Sequence, residues 1–296
     1  PIWYFHLTPP QKTNQVWIDY NFLSDNEKKI IHFDGEYSCN TICEWDLAFQ
    51  ALSMGVIISE TIGINQNVKI PPKDVYRFIR KYYNNIWIYW TCFMRMISGF
   101  NILKEIKGVW DTRLVERQRF YESKLINDDY NQFTSKLITE SPFVSIIIPT
   151  YNRYNILQDV LLDLEKQDYK NFEIIIIDQS ESFSREFYNS FELTIKVIHQ
   201  IKPALWEARN TGIKTAKSNY LLFLDDDSKI PSNWINSHLK CIDYFGAQIS
   251  SGISLSISGA KVPENYSIFR WADQLDTGNV LIKREVFKIC GLFFLF

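Results

Sequence analysis

The second half of the chain alternates short apolar, β-rich runs with stretches of helical periodicity. Runs at Phe143–Pro149 and Glu173–Asp178 flank the segment Asn155–Gln167, whose apolar residues recur at helical spacing. Strand, helix and strand in this order form a βαβ unit, in which the two strands pair in parallel. The pattern therefore predicts a parallel sheet with helices packed on its faces.

The alternation continues along the chain. Leu193–His199 and Tyr220–Leu224 predict two more strands, and Ala204–Lys217 predicts the helix between them. A further helix is expected to begin at Pro231, because proline is favoured in the first helical turn. Its apolar face is expected to contain Trp234, Ile235, His238, Leu239 and Ile242. Residues 142–296 thus predict one α/β region.

The first 110 residues predict mainly helices. Cys43–Met54 is expected to be a helix that ends at Gly55, followed by a strand at Val56–Ser59. Apolar positions from Val75 to Phe100 keep a helical period, which predicts one long aromatic helix. A helix packed in a core is the preferred interpretation. A helix at a membrane surface is the alternative, because aromatic residues such as Trp87, Tyr89 and Trp90 suit the headgroup zone.

The segment 111–141 is densely charged around a thin apolar stripe. It predicts a solvated helical connector, with a domain boundary near Pro142. Pro1 at the start and the apolar run Gly291–Phe296 at the end predict a fragment of a longer protein. The expected organisation is therefore 1–110, a connector at 111–141, and 142–296.

Composition and charge exclude several classes of protein. A hydrophobic fraction of 46% and an aromatic fraction of 16% are too high for a disordered chain. A net charge of −2 lacks the basic excess that nucleic-acid binding requires. The odd number of five cysteines favours a reduced, cytoplasmic chain, and Cys39 with Cys43 lacks the second pair of a zinc site. Peripheral contact with the inner face of a membrane is the alternative localisation.

Three acidic residues, Asp225, Asp226 and Asp227, directly follow the predicted strand Tyr220–Leu224. This position is the carboxyl edge of a parallel sheet, where open α/β folds bind ligands. Crowded carboxylates raise each other's pKa unless a cation balances them, and their hard oxygen atoms suit Mg²⁺ or Mn²⁺. Asp225 and Asp227 are therefore predicted metal ligands, with an acidic turn as the alternative.

Other polar residues are expected at the same edge. Tyr151 could stack on a nucleotide base and Thr150 could hydrogen-bond to it, whereas the alternative is an ordinary turn with Asn155 as the next N-cap. Asp178 could accept a hydrogen bond from a base, or it could form a turn. Arg209 is expected to meet a carboxylate or a diphosphate, or else to lie on the surface.

Four motifs in this order resemble those of inverting family 2 glycosyltransferases with the GT-A fold. They are VSIIIPTYNR at Val144–Arg153, EIIIID at Glu173–Asp178, ARN at Ala208–Asn210 and FLDDD at Phe223–Asp227. The resemblance covers residues 142–296, and Thr277–Arg284 with Phe287–Phe293 is similar to the family's acceptor-side segment. It implies an α/β, Rossmann-like, mostly parallel sheet flanked by helices, preceded by a helix-rich N-terminal segment.

The resemblance also implies roles for residues. Thr150, Tyr151 and Asp178 would contact the nucleotide base, while Asp225 and Asp227 would hold the ribose, metal and diphosphate. The remaining donor-site residues would be Asn152, Arg153, Arg209 and Asp226. Gln179 departs from the family, which often has a second aspartate there.

The implied reaction is a metal-dependent, inverting transfer of a sugar in polysaccharide biosynthesis. The donor would be a nucleoside diphosphate sugar, expected to be UDP-linked. The acceptor would be a hydroxyl of a carbohydrate or of a lipid-linked sugar. The resemblance therefore implies a hexosyltransferase-like enzyme.

The first half resembles the part of the family that carries the general base. Cys43–Gln50 is similar to the Glu-Asp-x-Asp-Leu motif, with Glu44 in the base position and Asp46 as its second acid. Thr41 and Glu44 also match a capping box, which is a purely structural alternative. Residues 1–110 therefore resemble the end of such a domain, and 142–296 resemble its beginning. A piece of a tandem array is the preferred explanation, and a permuted single domain is the other.

Two rival functions remain. The chain could bind a nucleotide sugar without turnover, if no acid completes the site. Asp225-x-Asp227 also resembles the nucleophile motif of haloacid-dehalogenase-like phosphatases. That motif normally lies on an early strand and is followed by Thr or Val, whereas Ser228 follows here.

Overall fold

The computed structural model describes residues 20–38, 40–56, 70–118, 128–260, 268–270 and 275–294. The chain forms two compact units. Unit 1 comprises Pro1–Ile126 with Val262–Trp271, and unit 2 comprises Asn127–Lys261 with Ala272–Phe296. Cys39 and residues 57–59 of the predicted strand at Val56–Ser59 lie outside the described residues.

Unit 1 is helical in its described part. Its helices are α1 (Asp25–Ile30), α2 (Asn40–Ser53), α3 (Pro72–Tyr82), α4 (Ile86–Ile97) and α5 (Ile102–Asp111). The predicted helix Cys43–Met54 corresponds to α2. Since α2 already begins at Asn40, Thr41 lies inside its first turn, and the predicted capping box with Thr41 as N-cap is wrong.

The long aromatic helix predicted from Val75 to Phe100 is also wrong, because the chain forms two helices there. Tyr83 adopts extended backbone angles (φ −123°, ψ 169°) after α3. The Asn84 side chain then accepts a hydrogen bond from the backbone N–H of Ile86 at 3.1 Å. An asparagine side chain that bonds nearby backbone competes with the helical pattern, so the helix ends and a new one begins.

Unit 2 contains the sheet. Its strands are β1 (Val144–Thr150), β2 (Phe172–Asp178), β3 (Ile195–His199), β4 (Tyr220–Leu224), β5 (Ile249–Ser251) and β6 (Asn279–Lys283). Its helices are α6 (Asp128–Gln132), α7 (Lys136–Glu140), α8 (Tyr154–Glu165), α9 (Arg185–Tyr188), α10 (Leu205–Thr215), α11 (Trp234–Phe245) and α12 (Arg284–Cys290). The four predicted strands are all present.

The sheet has the order β3-β2-β1-β4-β6-β5. Strands β3, β2, β1 and β4 run parallel, while β6 is antiparallel to β4 and to β5. The predicted α/β fold with a mostly parallel sheet is therefore confirmed. In the β1–β2 register Thr150 lies opposite Asp178, so both strands end at one edge of the sheet.

Helices cover both faces of this sheet. Ile146 and Ile148 of β1 point to one core, which contains Leu157 and Leu161 of α8 together with residues of α11. Ile147 belongs to the opposite core, which contains residues of α10. All seven residues of β1 are buried, as expected for a central parallel strand.

Two helix starts and the connector differ from the sequence prediction. Helix α8 begins at Tyr154 with Arg153 as its N-cap, so Asn155 is not the cap. Helix α11 begins at Trp234, and the carbonyl of Pro231 accepts the Trp234 N–H in the preceding turn. In the described part of 111–141, helix is limited to the end of α5 and to α6 and α7, so a continuous helical connector is wrong.

Gly212 allows α10 to approach the sheet closely. A Cβ atom at this position would lie 2.4 Å from Cγ2 of Ile147. We expect Gly212→Ala to destabilise unit 2 by about 1–3 kcal/mol, because the buried isoleucine cannot move away without strain. Urea unfolding followed by tryptophan fluorescence measures this loss. Lys214→Ala on the exposed side of the same helix is the control, expected within about 0.5 kcal/mol of the parent. Equal stability of the two variants would contradict the close packing.

Candidate active site

The carboxyl edge of the sheet brings the loops after β1 and β4 together. The buried Thr150 hydroxyl donates a hydrogen bond of 2.7 Å to Oδ2 of Asp226. Nη1 of Arg153 lies 3.2 Å from Oδ1 of Asp226 and 3.1 Å from Oδ2 of Asp227. Two residues of the first motif therefore contact two of the three aspartates, as the topology predicts.

The three aspartates lie in different surroundings. Asp226 is buried and bonded to Thr150 and Arg153. Asp227 is 53% exposed. Oδ1 of Asp225 lies 3.3 Å from Nη2 of Arg209 on α10. Asp226 therefore organises the loop, whereas Asp225 and Asp227 remain accessible to a ligand.

Arg209 is the buried partner of this edge, and its alternative as a surface arginine is wrong. Burial lowers the pKa of its guanidinium, although Asp225 opposes that effect. Burial also raises the pKa of Asp225; Arg209 lowers it, while Asp227 and Asp276 raise it further. Nε of Arg209 has no hydrogen-bond partner among the described residues. Arg209 therefore relieves the carboxylate crowding at Asp225 only in part, while Arg153 pairs with Asp226 and Asp227.

Asp276 is a member of this cluster that the sequence prediction missed. Its carboxylate accepts hydrogen bonds from the Ser254 hydroxyl at 2.5 Å and the Gly278 N–H at 3.0 Å. Gly278 lies against Asp225, since a Cβ atom there would come within 2.1 Å of Oδ2 of Asp225. Asp276 directly precedes the acceptor-side segment Thr277–Arg284, and this position is the sequence signal that could have indicated its role.

The loops after β1 and β2 are joined by hydrogen bonds around Asn152. Asn152 has a left-handed backbone (φ 56°), and its N–H donates to the Ser180 hydroxyl at 2.8 Å. Its side-chain oxygen accepts the Glu181 N–H at 3.0 Å. The Tyr151 hydroxyl donates to Glu181 at 3.2 Å, while the ring remains 41% exposed. Tyr151 is thus held at the edge with a partly accessible ring.

Asp178 is completely buried and accepts three hydrogen bonds. Oδ2 accepts from the hydroxyls of Tyr154 (2.6 Å) and Tyr188 (2.8 Å), and Oδ1 accepts the Ser180 N–H at 2.8 Å. The predicted turn-forming role is confirmed, and contact with a base stays a prediction. Gln179 donates to the carbonyl of Ala204 at 3.2 Å. Tyr154 and Tyr188 were missed, because no local spacing indicates that they converge on Asp178.

The residues at this edge fit a divalent cation. Asp225 and Asp227 supply hard carboxylate oxygens, and the raised pKa of Asp225 reflects burial and neighbouring acids that a cation would balance. No group of three or more potential ligand side chains gathers in the described part of the chain. Coordination would therefore be completed by phosphate oxygens and water, which suits Mg²⁺ or Mn²⁺.

The two predicted acids of unit 1 differ in exposure. Glu44 lies on the exposed side of α2, whereas Asp46 is buried. Oδ1 of Asp46 accepts hydrogen bonds from the hydroxyls of Tyr37 (2.9 Å) and Tyr82 (2.6 Å). Its Oδ2 lies 2.6 Å from Nζ of Lys81. Asp46 therefore belongs to a buried network, and of these two acids only Glu44 is exposed to solvent.

The described ranges of the chain contain no helix that is long and apolar enough to cross a membrane.

Comparison with known proteins agrees with the geometry of unit 2. The family model described as glycosyl transferase family 2 matches residues 145–296, which is more than half of the chain. The chain therefore belongs to glycosyl transferase family 2, and the resemblance inferred from the four motifs is confirmed.

Several curated relatives are similar over part of their length. The glycosyltransferase GlyA of Streptococcus pneumoniae serotype 4 is 32% identical over 37% of this chain and 16% of its own. The uncharacterized glycosyltransferase EpsJ of Bacillus subtilis is 36% identical over 31% of this chain and 28% of its own. The glycosyltransferase AglE of Haloferax volcanii is 27% identical over 51% of this chain and 52% of its own. The chain thus spans about half the length of these relatives or less.

Solved structures match this chain with lower sequence identity than the curated relatives. Residues 1–349 of TarS of S. aureus match with a TM-score of 0.44 and 22% identity, over 51% of this chain and 50% of that chain. The mannosyltransferase PcManGT of Pyrobaculum calidifontis, solved with GDP-Man and Mn²⁺, matches with a TM-score of 0.46 and 16% identity. That match covers 70% of this chain and 57% of PcManGT.

The three donors on Asp178 are expected to stabilise unit 2. We expect Tyr188→Phe to cost about 1–3 kcal/mol, because it removes a donor from a buried carboxylate. Tyr220→Phe is the matched control, since the Tyr220 hydroxyl bonds to none of the residues that the structure describes. Urea unfolding of both variants gives the comparison. A loss no larger for Tyr188→Phe than for Tyr220→Phe would contradict the contribution of this hydrogen bond.

Proposed function

We propose that unit 2 binds a nucleoside diphosphate sugar, expected to be UDP-linked, and supplies the donor half of an inverting sugar transfer. The observation that carries this proposal is the cluster at the carboxyl edge. Thr150 and Arg153 hold Asp226, and Arg209 faces Asp225, so Asp225 and Asp227 are left at the accessible end of the sheet. Membership of glycosyl transferase family 2 supports the same reaction class and argues against a phosphatase.

Each group at this edge has a proposed task. Asp225 and Asp227 would hold Mg²⁺ or Mn²⁺, which when bound would neutralise negative charge on the leaving diphosphate. Arg153 and Arg209 would contact the diphosphate with their guanidinium groups. Tyr151 would stack on the base with its partly exposed ring, and Thr150, Asn152 and Asp178 would shape the base pocket. The acceptor would be a carbohydrate or lipid-linked hydroxyl, and the setting would be cytoplasmic polysaccharide synthesis.

Asp227→Asn tests the donor site. We expect the affinity for UDP in the presence of Mn²⁺ to fall about tenfold or more, because one carboxylate ligand loses its charge. The fold should stay intact, since Asp227 is 53% exposed. Isothermal titration calorimetry with UDP, with and without Mn²⁺, measures the change. Asp163→Asn is the control, because Asp163 lies on α8 in a surface pair with Lys166. Unchanged affinity in Asp227→Asn would remove this residue from the site.

Glu44 is the proposed general base, which would take the proton of the acceptor hydroxyl. It is accessible on α2, whereas Asp46 is held by Lys81 and two tyrosines. If the chain is part of a tandem array, Glu44 serves a different transferase unit from Asp227. If it is a permuted domain, both serve one reaction. Binding of a donor without turnover remains the rival function, in which Glu44 has no chemical task.

Glu44→Gln distinguishes sugar transfer, with Glu44 as the base, from donor binding without turnover. We expect the release of UDP from a panel of UDP-sugars by the transferase unit that Glu44 serves to slow by about a hundredfold, because glutamine cannot accept the proton. The melting temperature should stay constant. Glu36→Gln is the control, since Glu36 is also exposed in unit 1. Normal turnover in Glu44→Gln would contradict its role as base.

A further inference from the structure

Helix α4 of unit 1 carries large apolar side chains on its surface. Ile88, Thr91 and Cys92 form its buried side. The exposed side has the spacing i, i+3, i+4, i+7 and i+11, and its residues are between 46% and 67% exposed: Ile86, Tyr89, Trp90, Phe93 and Ile97. Such spacing places them on one face of the helix. We call this face the α4 stripe.

Helix α5 extends the apolar surface. Ile102, Leu103, Ile106 and Trp110 are each more than half exposed. The two helices are held together by Arg95 of α4, whose guanidinium makes two bonds of 2.9 and 3.1 Å to the buried carboxylate of Glu105 on α5. Both apolar faces therefore belong to one packed pair of helices. An exposed apolar surface of this extent marks an interaction site.

A polar cavity lies beside the start of the α4 stripe. It has a volume of about 220 Å³ and is lined by Arg80, Tyr83, Asn84, Asn85, Val115 and Arg117. None of the described residues that line it carries a carboxylate. Neither Arg80 nor Arg117 forms an ion pair with any residue that the structure describes. Arg80 is instead fixed by bonds of 3.2 Å to the Thr112 hydroxyl and to the carbonyl of Val109. Two uncompensated guanidinium groups with amide donors suit an anion such as phosphate.

The charge of the chain around the cavity and the α4 stripe is also positive. Residues 73–118 contain nine lysines and arginines against four aspartates and glutamates, although the whole chain has a net charge of −2. Two of those four acids are buried: Asp74 is hydrogen-bonded to Ser38, and Glu105 is paired with Arg95. Lys104 and Lys107 are exposed on α5. The surface around the apolar faces is therefore positive.

We propose that this surface of unit 1 docks on a membrane of anionic phospholipid. The phosphate of a lipid headgroup occupies the cavity between Arg80 and Arg117, and the α4 stripe lies among the outer acyl chains. The chain passes directly from the cavity residue Asn85 to the apolar Ile86. A phosphate next to hydrocarbon is the chemistry of a phospholipid. Trp90 and Tyr89 belong to the residue types that concentrate at the headgroup level.

The helix lengths support a position in the membrane surface. Helix α4 has 12 residues, which is roughly 18 Å at 1.5 Å per residue. This is shorter than the hydrocarbon core of about 30 Å, so α4 lies parallel to the membrane rather than across it.

A second copy of the chain is a poorer occupant. A symmetric dimer would place the same positive surface on both sides of the interface, with Arg80 and Arg117 near their own copies or near other cations. Repulsion between like charges would oppose that contact. An anionic membrane complements the apolar and the charged features together.

Vesicle binding by the full chain tests the proposal, and it needs no transferase activity. We expect the protein to sediment with vesicles of phosphatidylcholine and phosphatidylglycerol, to bind pure phosphatidylcholine weakly, and to lose affinity at high salt. Arg80→Gln with Arg117→Gln should lower the affinity by roughly thirtyfold, from about fivefold for each charge lost near an anionic surface. Trp90→Ser with Phe93→Ser should lower it through lost apolar burial.

Matched controls lie in unit 2. Lys202→Gln with Lys214→Gln removes two exposed charges, and Leu255→Ser with Ile257→Ser removes two exposed apolar side chains. Neither pair should change vesicle binding. Circular dichroism melting checks that all variants fold. Arg80 is only partly exposed, so a charge variant that melted early would be replaced by Arg117→Gln alone.

Three outcomes would overturn the proposal. Equal binding of all variants to anionic vesicles would place the contact elsewhere. Calorimetric binding of inorganic phosphate by the cavity, without vesicle binding, would assign it to a free anion. A dimer in light scattering that Trp90→Ser with Phe93→Ser dissociates, again without vesicle binding, would assign the surface to a second copy.

Discussion

The structure of unit 2 depends on the parallel pairing of β1 between β2 and β4. Every residue of β1 is buried, so the strand must fit against helices on both sides. A slip of one residue would exchange the side chains that face α8 with those that face α10, which are packed in separate cores. The register is therefore strongly specified. It places Thr150 opposite Asp178 and brings the loops after three strands to one edge.

At that edge some buried polar groups have several hydrogen-bond partners, whereas others are only partly paired. Asp178 accepts three hydrogen bonds and Asp226 is held by Thr150 and Arg153, so these buried carboxylates stabilise the loops around them. Asp225 and Arg209 are different, because burial shifts the pKa of each toward its neutral form and Nε of Arg209 has no described partner. Incomplete pairing of this kind is tolerated where a ligand completes it. The loops at this edge are thus fixed by Asp178 and Asp226, while Asp225 and Arg209 can still bind a ligand.

The sequence predicted the strands well because buried parallel strands are continuous apolar runs. The four predicted strands and their order of connection agree with the structure to within about two residues. The sequence could also locate the site, since topology alone brings the ends of β1, β2 and β4 together. It could not predict the partners of Asp178, because Tyr154 and Tyr188 reach it only through the packing of α8 and α9. Nor could it separate α3 from α4. Helical periodicity indicates that one face is apolar, but it does not indicate whether other elements pack against that face.

Neighbouring cations of α3 show why average charge is a poor guide to partners. Arg77 and Lys81, four residues apart on one face, both bond to Asp34, and Lys81 also bonds to Asp46. Burial would raise the pKa of Asp34, but hydrogen bonds from Arg77 and Lys81 outweigh it and lower this pKa to about 2. Arg80 lies on another side of the same helix and faces a cavity whose described lining contains no acid. Asp34, Asp46 and Glu105 thus neutralise internal cations. At the surface of residues 73–118, exposed lysines and arginines outnumber the two exposed acids, Asp111 and Glu116. A chain with a net charge of −2 can therefore present a positive face to an anionic partner.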